Sequence, residues 1–406
     1  MLLRGYRVLD LTDAWGALAG KLLADLGAEV IAVEPPGGNP VRRMGPFLPG
    51  RPDFSFAWLA VSAGKKSVVL DLEREDGRRL FLRLVALSDA VLESFPPGAL
   101  DRLGLGWEAL RRANPSLVLG SVTPFGPEGP MAGWQASDLV ISAAGGLLYL
   151  SGDPDRPPVR TSVPQAYPIA GSALAGAVAS ALFRRTRTGQ GGRVEVSAQH
   201  AVARTLDRVP VFWERARVVI GRHGTSGLPG GGAPRRIIWR CRDGWVAFTL
   251  IGGATGARVM DALARWMEEE GEDPSPIRAQ DWAGMAFGLI PEEAIQAVTP
   301  VLERFFGART RQELWEGAQR HRVLVYPVLS PGETFRFVQE MYPGLFPTVP
   351  GPEGPLYGPS PFLRLGEGAP SAGAPALGEH TAEVLQGLLG LTPEDLRTLK
   401  EGGALG

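Results

Sequence analysis

Residues 7–34 read RVLDLTDAWGALAGKLLADLGAEVIAVE and contain the clearest structural pattern of the chain. Its two ends, 7–11 and 29–34, are short apolar runs of the kind that form buried strands. Between them leucine recurs every fourth residue across 17–26, the spacing of one helix face, and Gly27 follows where a helix commonly ends. The stretch therefore predicts a strand–helix–strand unit, the building block of a parallel sheet.

The same alternation continues along the next part of the chain. Apolar runs and helical spacings follow one another as far as residue 196. The pattern predicts a large α/β domain that is doubly wound and Rossmann-like. The further predicted strands are 67–70, 90–93, 117–122 and 193–196, and the further predicted helices are 75–87, 107–112, 169–184 and 200–217.

Length, charge and cysteine content exclude several classes of protein. The chain has 406 residues, enough for two or three domains at about 150 residues each. Its 42 basic and 43 acidic residues nearly cancel, which argues against a nucleic-acid or anionic-membrane binder. No apolar run approaches the roughly 18 residues of a transmembrane helix, so we expect none. A lone cysteine and a start without a signal peptide predict a reduced, cytoplasmic protein.

The sequence contains no recognisable set of catalytic residues from the common motifs. Glu34 ends the second predicted strand, where an acid commonly holds the ribose of NAD, but the turn at 13–20 lacks G-x-G-x-x-G. We therefore expect no NAD site. The four histidines are scattered, which predicts no metal centre. Cys241 lies in the polar stretch 240–243, which reads as surface, and no G-x-S-x-G elbow occurs.

Two further features have both a functional and a structural interpretation. The pair Lys65–Lys66 precedes a predicted strand and could meet a phosphate, but a solvated charge is the commoner outcome. The Gly- and Pro-rich loop 224–234 fits a lid over an active site or a plain linker, and composition alone favours the linker. The residues by themselves thus predict an α/β protein with a second region. They do not identify the reaction that it catalyses.

Ordered motifs from one end of the chain to the other resemble a known family. The sequence is similar to the family III CoA-transferases (the CaiB/BaiF group), which include formyl-CoA transferase, carnitine CoA-transferase and the 2-methylacyl-CoA racemases. The motifs that carry the resemblance are GYRVLDLT at 5–12, LLADLGAEVIAVEPP at 22–36, KKSVVLDL at 65–72, ESFPPGALDRLGL at 93–105, NPSLVL at 114–119, TRTGQGGRVEV at 186–196 and LGEHT at 377–381.

The resemblance implies an unusual architecture. Members of the family form interlocked dimers, in which each chain passes through a ring made by the other. The N- and C-terminal parts build the large domain, and the middle builds a smaller mixed α/β domain. For this chain the resemblance implies a large domain from 1–223, a small domain from 224–330, and a return segment with a C-terminal helix at 331–406.

The resemblance also implies a coenzyme A site in the large domain. Arg102 suits a phosphate because a guanidinium can donate two parallel hydrogen bonds, and Phe95 can lie against adenine. Ser94 stands where the family usually has Asn. Matched motif by motif, the implied contacts are Trp15, Gly16, Pro35, Leu70, Ser94, Phe95, Arg102, Leu103, Gln135 and Ala198, and a flexible glycine-rich loop falls on Gly230, Gly231 and Gly232.

The sequence departs from the family at the catalytic position. In the transferases an aspartate in a segment like V-P-x-A-D-x-x-A-G attacks the acyl-CoA thioester. Here the segment is VPQAYPIAG at 163–171, and Tyr167 stands at the place of the nucleophile. The racemases use a His and the same Asp as an acid–base pair, and the matching residue for that His is Ser137, followed by Asp138.

Three hypotheses follow from this departure. The chain is one subunit of a heteromeric CoA-transferase whose paralogous partner carries the aspartate, and this is the hypothesis we favour. Alternatively it is a divergent acyl-CoA enzyme, such as a racemase, that acts through Tyr167 or Asp138. In the third case it is an acyl-CoA-binding protein without catalysis. All three keep acyl-CoA as the ligand and leave homodimer or heteromer open.

Overall fold

The computed structural model describes residues 2–206, 209–227, 234–286, 288–359, 361 and 372–405. The chain divides into two compact units. The first unit comprises Met1–Leu147, Thr161–Asp207 and Gln339–Gly406, and the second unit comprises Leu148–Arg160 and Arg208–Val338. The division at 223/224 and 330/331 inferred from the sequence stays a prediction.

The strands fall into one large parallel sheet and several small antiparallel ones. They are β1 Arg7–Asp10, β2 Glu29–Glu34, β3 Phe47–Leu48, β4 Arg51–Ser55, β5 Lys66–Val69, β6 Ala90–Glu93, β7 Val118–Thr123, β8 Gly192–Ser197, β9 Ser226–Gly227, β10 Arg235–Arg236, β11 Ile238–Cys241, β12 Gly244–Ala247, β13 Tyr326–Pro327, β14 Thr348–Val349 and β15 Leu356–Tyr357.

The helices alternate with the strands in the first unit and dominate the second. They are α1 Ala17–Asp25, α2 Phe56–Ser62, α3 Glu75–Ala86, α4 Ala99–Arg102, α5 Trp107–Ala113, α6 Asp138–Ala144, α7 Ala166–Thr188, α8 Ala198–Thr205, α9 Val209–Ala216, α10 Gly253–Glu269, α11 Ser275–Arg278, α12 Glu292–Gly307, α13 Arg311–His321, α14 Pro331–Met341, α15 Thr381–Leu389 and α16 Pro393–Glu401.

The first unit is built on a six-stranded sheet with the order β5-β2-β1-β6-β7-β8, in which every neighbouring pair is parallel. Counted along the chain, these strands are the third, second, first, fourth, fifth and sixth, which is the order of a Rossmann fold. The predicted α/β class with a doubly wound parallel sheet is therefore confirmed for this unit.

Side chains of the sheet strands alternate between two apolar layers. Val8 and Val30 belong to a buried cluster that includes α1 and α7. Leu9 and Ile31, one residue further along each strand, belong to a second cluster that includes α3 and α15. This period of two buries both faces of the sheet, as parallel sheets require.

Helix α7 is longer than the predicted 169–184. By length and composition alone it could cross a membrane, although a core helix of a folded protein passes the same test. Its residues Ala170, Leu174 and Val178 are fully buried, and the helix packs on α1, α8 and β7. A Cβ on Gly171 would come 3.0 Å from Leu18 Cβ, so this glycine permits the close approach of α7 to α1. One face of α7 therefore packs in the core of the first unit, and 39% of its most apolar window is buried.

The C-terminal residues complete the first unit. The backbone N–H of His380 donates to the carbonyl of Ser67 at 2.9 Å, and His380 Nδ1 accepts from the N–H of Ser67 at 3.2 Å. Further along, the N–H of Asp71 donates to the carbonyl of Ala404 at 3.0 Å. These bonds attach the last part of the chain to the edge strand β5 and its following loop.

The second unit has its own core around a small antiparallel sheet of β11, β12 and β13. Trp239, Trp266, Phe305 and Phe306 are buried in this core and contact one another edge to face. Cys241 is only 1% exposed and belongs to the same core, so the expectation of a surface position was wrong. The reason is strand alternation, because Arg240 faces solvent while its neighbour faces the core.

Candidate functional site

The carboxyl ends of the parallel strands gather most of the residues matched to a coenzyme A site. Parallel strands end at the same edge of their sheet, and in open α/β sheets ligands bind in the crevice outside that edge. Gly16 has no room for a side chain, because a Cβ there would lie 2.5 Å from Thr12 Cγ2. The matched residues at this edge are Trp15 and Gly16 after β1, Pro35 after β2, Leu70 after β5, Ser94 and Phe95 after β6, and Ala198 after β8.

The loops after β1 and β6 are fastened together by Asp13, which sequence reasoning missed. Ser94 Oγ accepts from the N–H of Asp13 at 2.8 Å and donates to Asp13 Oδ1 at 2.8 Å. The same oxygen accepts from the N–H of Trp15 at 3.0 Å. Strands β1 and β6 are the neighbours at which the strand order reverses, so Asp13 links Ser94 and Trp15 at the topological switch point of the sheet. An Asp two residues before Trp15 is a turn signal that could have revealed this loop.

Tyr167 lies in the first turn of α7 and contacts Trp15. The two rings meet edge to face, with centroids 4.5 Å apart and planes at 71°. Burial, with a contribution from the carboxylates of Asp138 and Asp13, raises the pKa of the Tyr167 phenol above its ordinary value. The phenol is therefore neutral at physiological pH. A neutral phenol can donate a hydrogen bond, but it is a poor base and a poor nucleophile.

Asp138 holds the start of α7 in place. Its Oδ1 accepts from the N–H groups of Ala166 at 2.6 Å and Tyr167 at 3.2 Å. These are two of the N–H groups that a helix leaves without partners at its N-terminus. The structure thus places Asp138 next to Tyr167, a contact that the sequence did not predict, and the carboxylate contacts the backbone of Tyr167.

A polar cavity of about 270 Å³ lies beside β6, β7 and β8 at the same edge. Glu93, at the end of β6, lines it and is only 7% exposed. Burial raises the pKa of this carboxyl, although the Ser121 hydroxyl and the N–H of Phe95 lower it in part. Phe95 therefore borders a protonatable group, which sequence reasoning did not single out.

Three of the matched residues, Pro35, Arg102 and Gln135, are exposed. Across the residues described by the structure, the side chains of Arg102 and Gln135 make no hydrogen bond or ion pair with the protein. Leu103 follows α4 and packs on the core. The loop glycines Gly230, Gly231 and Gly232 lie outside the described residues.

Two buried polar groups next to the edge are engaged within the protein. Lys65 is 5% exposed, and its Nζ donates to Asp10 Oδ2 at 2.8 Å and to the carbonyl of Ala17 at 2.7 Å. The expectation that Lys65 is a solvated charge was therefore wrong, because it is the partner of a buried carboxylate. The carboxylate of Glu34 accepts from Arg42 and Ser67, so it offers no free oxygen to a ribose.

The first unit is thus a doubly wound α/β fold, and the carboxyl ends of its parallel strands are its candidate ligand site. The family model of CoA-transferase family III matches residues 3–381. The chain therefore belongs to CoA-transferase family III, and the resemblance seen in its motifs is confirmed. CoA thioesters are the substrates that this membership implies.

Named relatives and solved structures agree with this membership. The chain is 37% identical over 390 residues to the succinyl-CoA:(R)-benzylsuccinate CoA-transferase subunit BbsE of Thauera aromatica, covering 94% of this chain and 92% of the relative. It is 30% identical over 411 residues to the succinyl-CoA–L-malate CoA-transferase alpha subunit of Chloroflexus aurantiacus, covering 98% and 91%. The crystal structure of a CaiB/BaiF family protein from Brucella suis matches with a TM-score of 0.79 and 27% identity, covering 95% and 98%.

These relatives fix the class of reaction. Proteins of this family transfer CoA between an acyl-CoA and a carboxylate, and this chain is a transferase of that class. Both named relatives are described as subunits, so some members of the family work in enzymes of more than one subunit.

Proposed function

We propose that this chain is the subunit of a heteromeric family III CoA-transferase that binds CoA thioesters without supplying the nucleophile. The observation that supports the proposal is the half-buried, neutral phenol of Tyr167 against Trp15, at the residue that the motif match assigns to the family's aspartate. A phenol cannot form the mixed anhydride that an aspartate forms. A paralogous subunit with an aspartate at this position would then supply the nucleophile.

The CoA site that we propose is the strand edge of the first unit. Arg102 is exposed and has no partner in the described parts of the chain, so its guanidinium is free to take a phosphate. Phe95 lies next to the edge and offers a ring face to the adenine. The other contacts that we propose are Trp15, Gly16, Pro35, Leu70, Ser94, Leu103, Gln135 and Ala198.

The chemistry follows from an aspartate of the partner. Its carboxylate attacks the thioester carbonyl, forms a mixed anhydride and releases the CoA thiolate. The thiolate then attacks the aspartyl carbonyl, releases the donor carboxylate and leaves an aspartyl-CoA thioester. The acceptor carboxylate attacks this thioester, forms a new anhydride and releases the CoA thiolate. The thiolate then attacks the acceptor's carbonyl, which gives the acceptor's CoA thioester and releases the aspartate carboxylate. In this chain the neutral phenol of Tyr167 can donate a hydrogen bond to a thioester oxygen but takes no covalent step.

The substrates that we propose are succinyl-CoA as donor and a substituted C4 dicarboxylate as acceptor. The relatives that support this are named for succinyl-CoA with (R)-benzylsuccinate in one case and with L-malate in the other. Both acceptors carry a butanedioate skeleton. We further propose that the two subunits interlock as the family's dimers do, and that the enzyme works in the cytoplasm, where a lone cysteine such as Cys241 stays reduced.

The test compares the purified chain with a mixture. Succinyl-CoA and a panel of dicarboxylates are incubated with the chain alone, with its Asp-bearing paralogue alone, and with both co-expressed. Transfer is expected with the co-expressed pair, and an Asp→Ala change in the paralogue removes it. Transfer or α-proton exchange by this chain alone would overturn the proposal and favour a divergent acyl-CoA enzyme. CoA binding without transfer under any condition would favour a non-catalytic binding protein.

A gain of function sharpens the same test. Tyr167→Asp restores a carboxylate at the family's nucleophile position, and we expect a covalent acyl or CoA adduct on this chain, visible by intact-protein mass spectrometry. Tyr167→Asn is the matched control, since it has the same size and no nucleophilic carboxylate. An adduct on neither variant would contradict the placement of the reacting thioester near residue 167.

A further inference from the structure

The second unit contains an open groove that no part of the proposed function uses. It lies between α13 and the sheet of β11, β12 and β13, and its volume is about 790 Å³. Binding sites for small molecules typically measure about 300–1,000 Å³ and combine apolar walls with a few polar groups. The groove has this size and composition.

The floor of the groove is fixed and its rim is exposed. Phe248, Ala318 and Val325 are buried and form part of the unit's core. At the rim, Leu324 is 69% exposed, and Tyr326 contacts Trp315 edge to face with centroids 4.6 Å apart. An apolar surface of this kind, left open on a folded unit, favours an apolar ligand.

Helix α13 forms a rigid wall of the groove. A Cβ on Gly317 would come 2.0 Å from Trp266 Cζ2, so α13 and α10 are in close contact at this glycine. His321 also stacks on Trp266, with ring centroids 5.3 Å apart and planes 9° from parallel. The wall is therefore formed before any ligand arrives, which lowers the entropic cost of binding.

A single charge stands at the groove. Among the described residues that line it, Arg322 is the only charged one. Its guanidinium makes no ion pair and no hydrogen bond to the described parts of the chain, and it is exposed. An arginine stays charged at any physiological pH and matches a carboxylate with two parallel hydrogen bonds. The groove thus offers an apolar surface and one unpaired cation.

The backbone of Arg322 adds an independent observation. It ends α13 with φ 57° and ψ 40°, the left-handed conformation in which glycine is the usual residue. An arginine in this conformation is energetically costlier than a glycine. The fold therefore holds a charged side chain at the mouth of the groove where the backbone alone favours glycine.

From these observations we infer that the groove binds a small carboxylate with an aryl or alkyl body. The body lies on Phe248 and Val325, and the carboxylate meets the guanidinium of Arg322. The charge complementarity favours one carboxylate over an intact CoA thioester, whose several phosphate charges would need more cations than the groove has. This inference concerns the second unit alone and does not depend on the strand edge of the first unit.

The experiment measures binding of 4-phenylbutyrate and of its neutral amide by calorimetry, on the assembly as purified. We expect the acid to bind more tightly than the amide. Arg322→Gln should weaken the acid about fivefold, the effect of roughly 1 kcal/mol, and leave the amide unchanged. Leu324→Asp should weaken the acid further, because it places a negative charge at the exposed rim. Arg320→Gln, an exposed neighbour on α13 that does not line the groove, is the matched control.

Several results would overturn the inference. Equal binding of acid and amide would mean that Arg322 does not recognise a carboxylate. An equal loss of affinity for the acid in the Arg320 and Arg322 variants would mean that any nearby positive charge has the same effect. Absence of binding, together with hydrogen-exchange protection of residues 318–326 that falls on dilution, would mean that a second copy or partner chain covers the groove.

Discussion

The strand edge of the first unit and the groove of the second unit differ in whether their charged groups have partners within the protein. At the edge, the buried carboxylates and cations are bonded to one another, as in the pair of Asp10 with Lys65 and the loop held by Asp13. At the groove, the floor is apolar and the single cation, Arg322, has no partner among the described residues. One region is organised by its own hydrogen bonds, and the other presents a charge to a ligand.

The buried pairs at the edge contribute mainly to stability, whereas the unpaired cation at the groove is available for ligand binding. Removing one member of a buried pair leaves a charge without a partner, which is among the costliest single changes in a protein. Removing an exposed, unpaired cation costs the fold little. We therefore expect substitutions in the buried pairs at the edge to act mainly on the free energy of unfolding, and substitutions of the exposed Arg322 at the groove to act mainly on binding.

The largest effect is expected for Lys65→Met. The change leaves Asp10 buried without its cation and should lower the free energy of unfolding by about 3–5 kcal/mol. Lys66→Met is the matched control. Lys66 is one-third exposed and pairs with Glu29 and Glu383, so the change should cost no more than about 1 kcal/mol. A urea titration followed by circular dichroism measures both. Equal losses of unfolding free energy in the two variants would mean that the buried pair is worth no more than the partly exposed one.

The next effect concerns the wall of the groove. Gly317→Ala places a methyl group against Trp266 and should lower the stability of the second unit by about 1–3 kcal/mol. Gly307→Ala is the control, because that glycine ends α12 and has open space around its Cβ position. It should be neutral or slightly stabilising, since alanine is the better helix former. Calorimetric melting measures the stability of both variants. An unchanged stability in Gly317→Ala would contradict the close contact between α13 and α10.

A smaller, pH-dependent effect is expected for Glu93→Gln. Because burial raises the folded-state pKa above the ordinary 4.5, this carboxyl stabilises the fold below pH 4.5, and that contribution is lost as the pH rises through the folded-state pKa. The neutral glutamine should therefore raise the stability at pH 7.5 by about 1 kcal/mol, and by less at pH 4.5. Glu128→Gln, an exposed carboxylate at the same cavity, is the control. A gain independent of pH would count against the titration of Glu93.

The smallest effect compares two arginines of one helix end. Arg322→Gly removes a side chain from a left-handed position and should keep or raise the free energy of unfolding, by at most about 1 kcal/mol. Arg320→Gly lies inside α13 and should lower it by about 1 kcal/mol. Thermal melting measures the two signs. A loss of stability in both would mean that the Arg322 side chain supports the fold rather than a ligand.

Local signals in the sequence were enough to predict the first unit's sheet. The strand predicted at 29–34 is observed at Glu29–Glu34, and the strand predicted at 90–93 is observed at Ala90–Glu93. Apolar runs of this length with helices between them are read from neighbouring residues alone. The helix predicted at 200–217 was less accurate, since two helices, Ala198–Thr205 and Val209–Ala216, occupy that stretch.

The site depended on contacts between residues far apart in the sequence. The prediction for Lys65 was wrong because its partner Asp10 lies 55 positions away. The residues next to either one in the sequence do not indicate that the two form a pair. The same holds for the ring contact of Trp15 with Tyr167. For Cys241 a signal did exist, since Trp239 and Cys241 alternate with two arginines in the pattern of a half-buried strand. The left-handed backbone of Arg322 has no counterpart in the sequence.

The attachment of the C-terminal segment to β5 has a consequence for biosynthesis. A ribosome makes the chain from its N-terminus, and domains fold as their residues emerge. The second unit has all of its residues once position 338 has been made, whereas the first unit still lacks the partners of Ser67 and Asp71, at His380 and Ala404. The part of the chain that emerges first is therefore the part that completes its fold last, and in the interval its edge strand is open to chaperones or to a partner subunit.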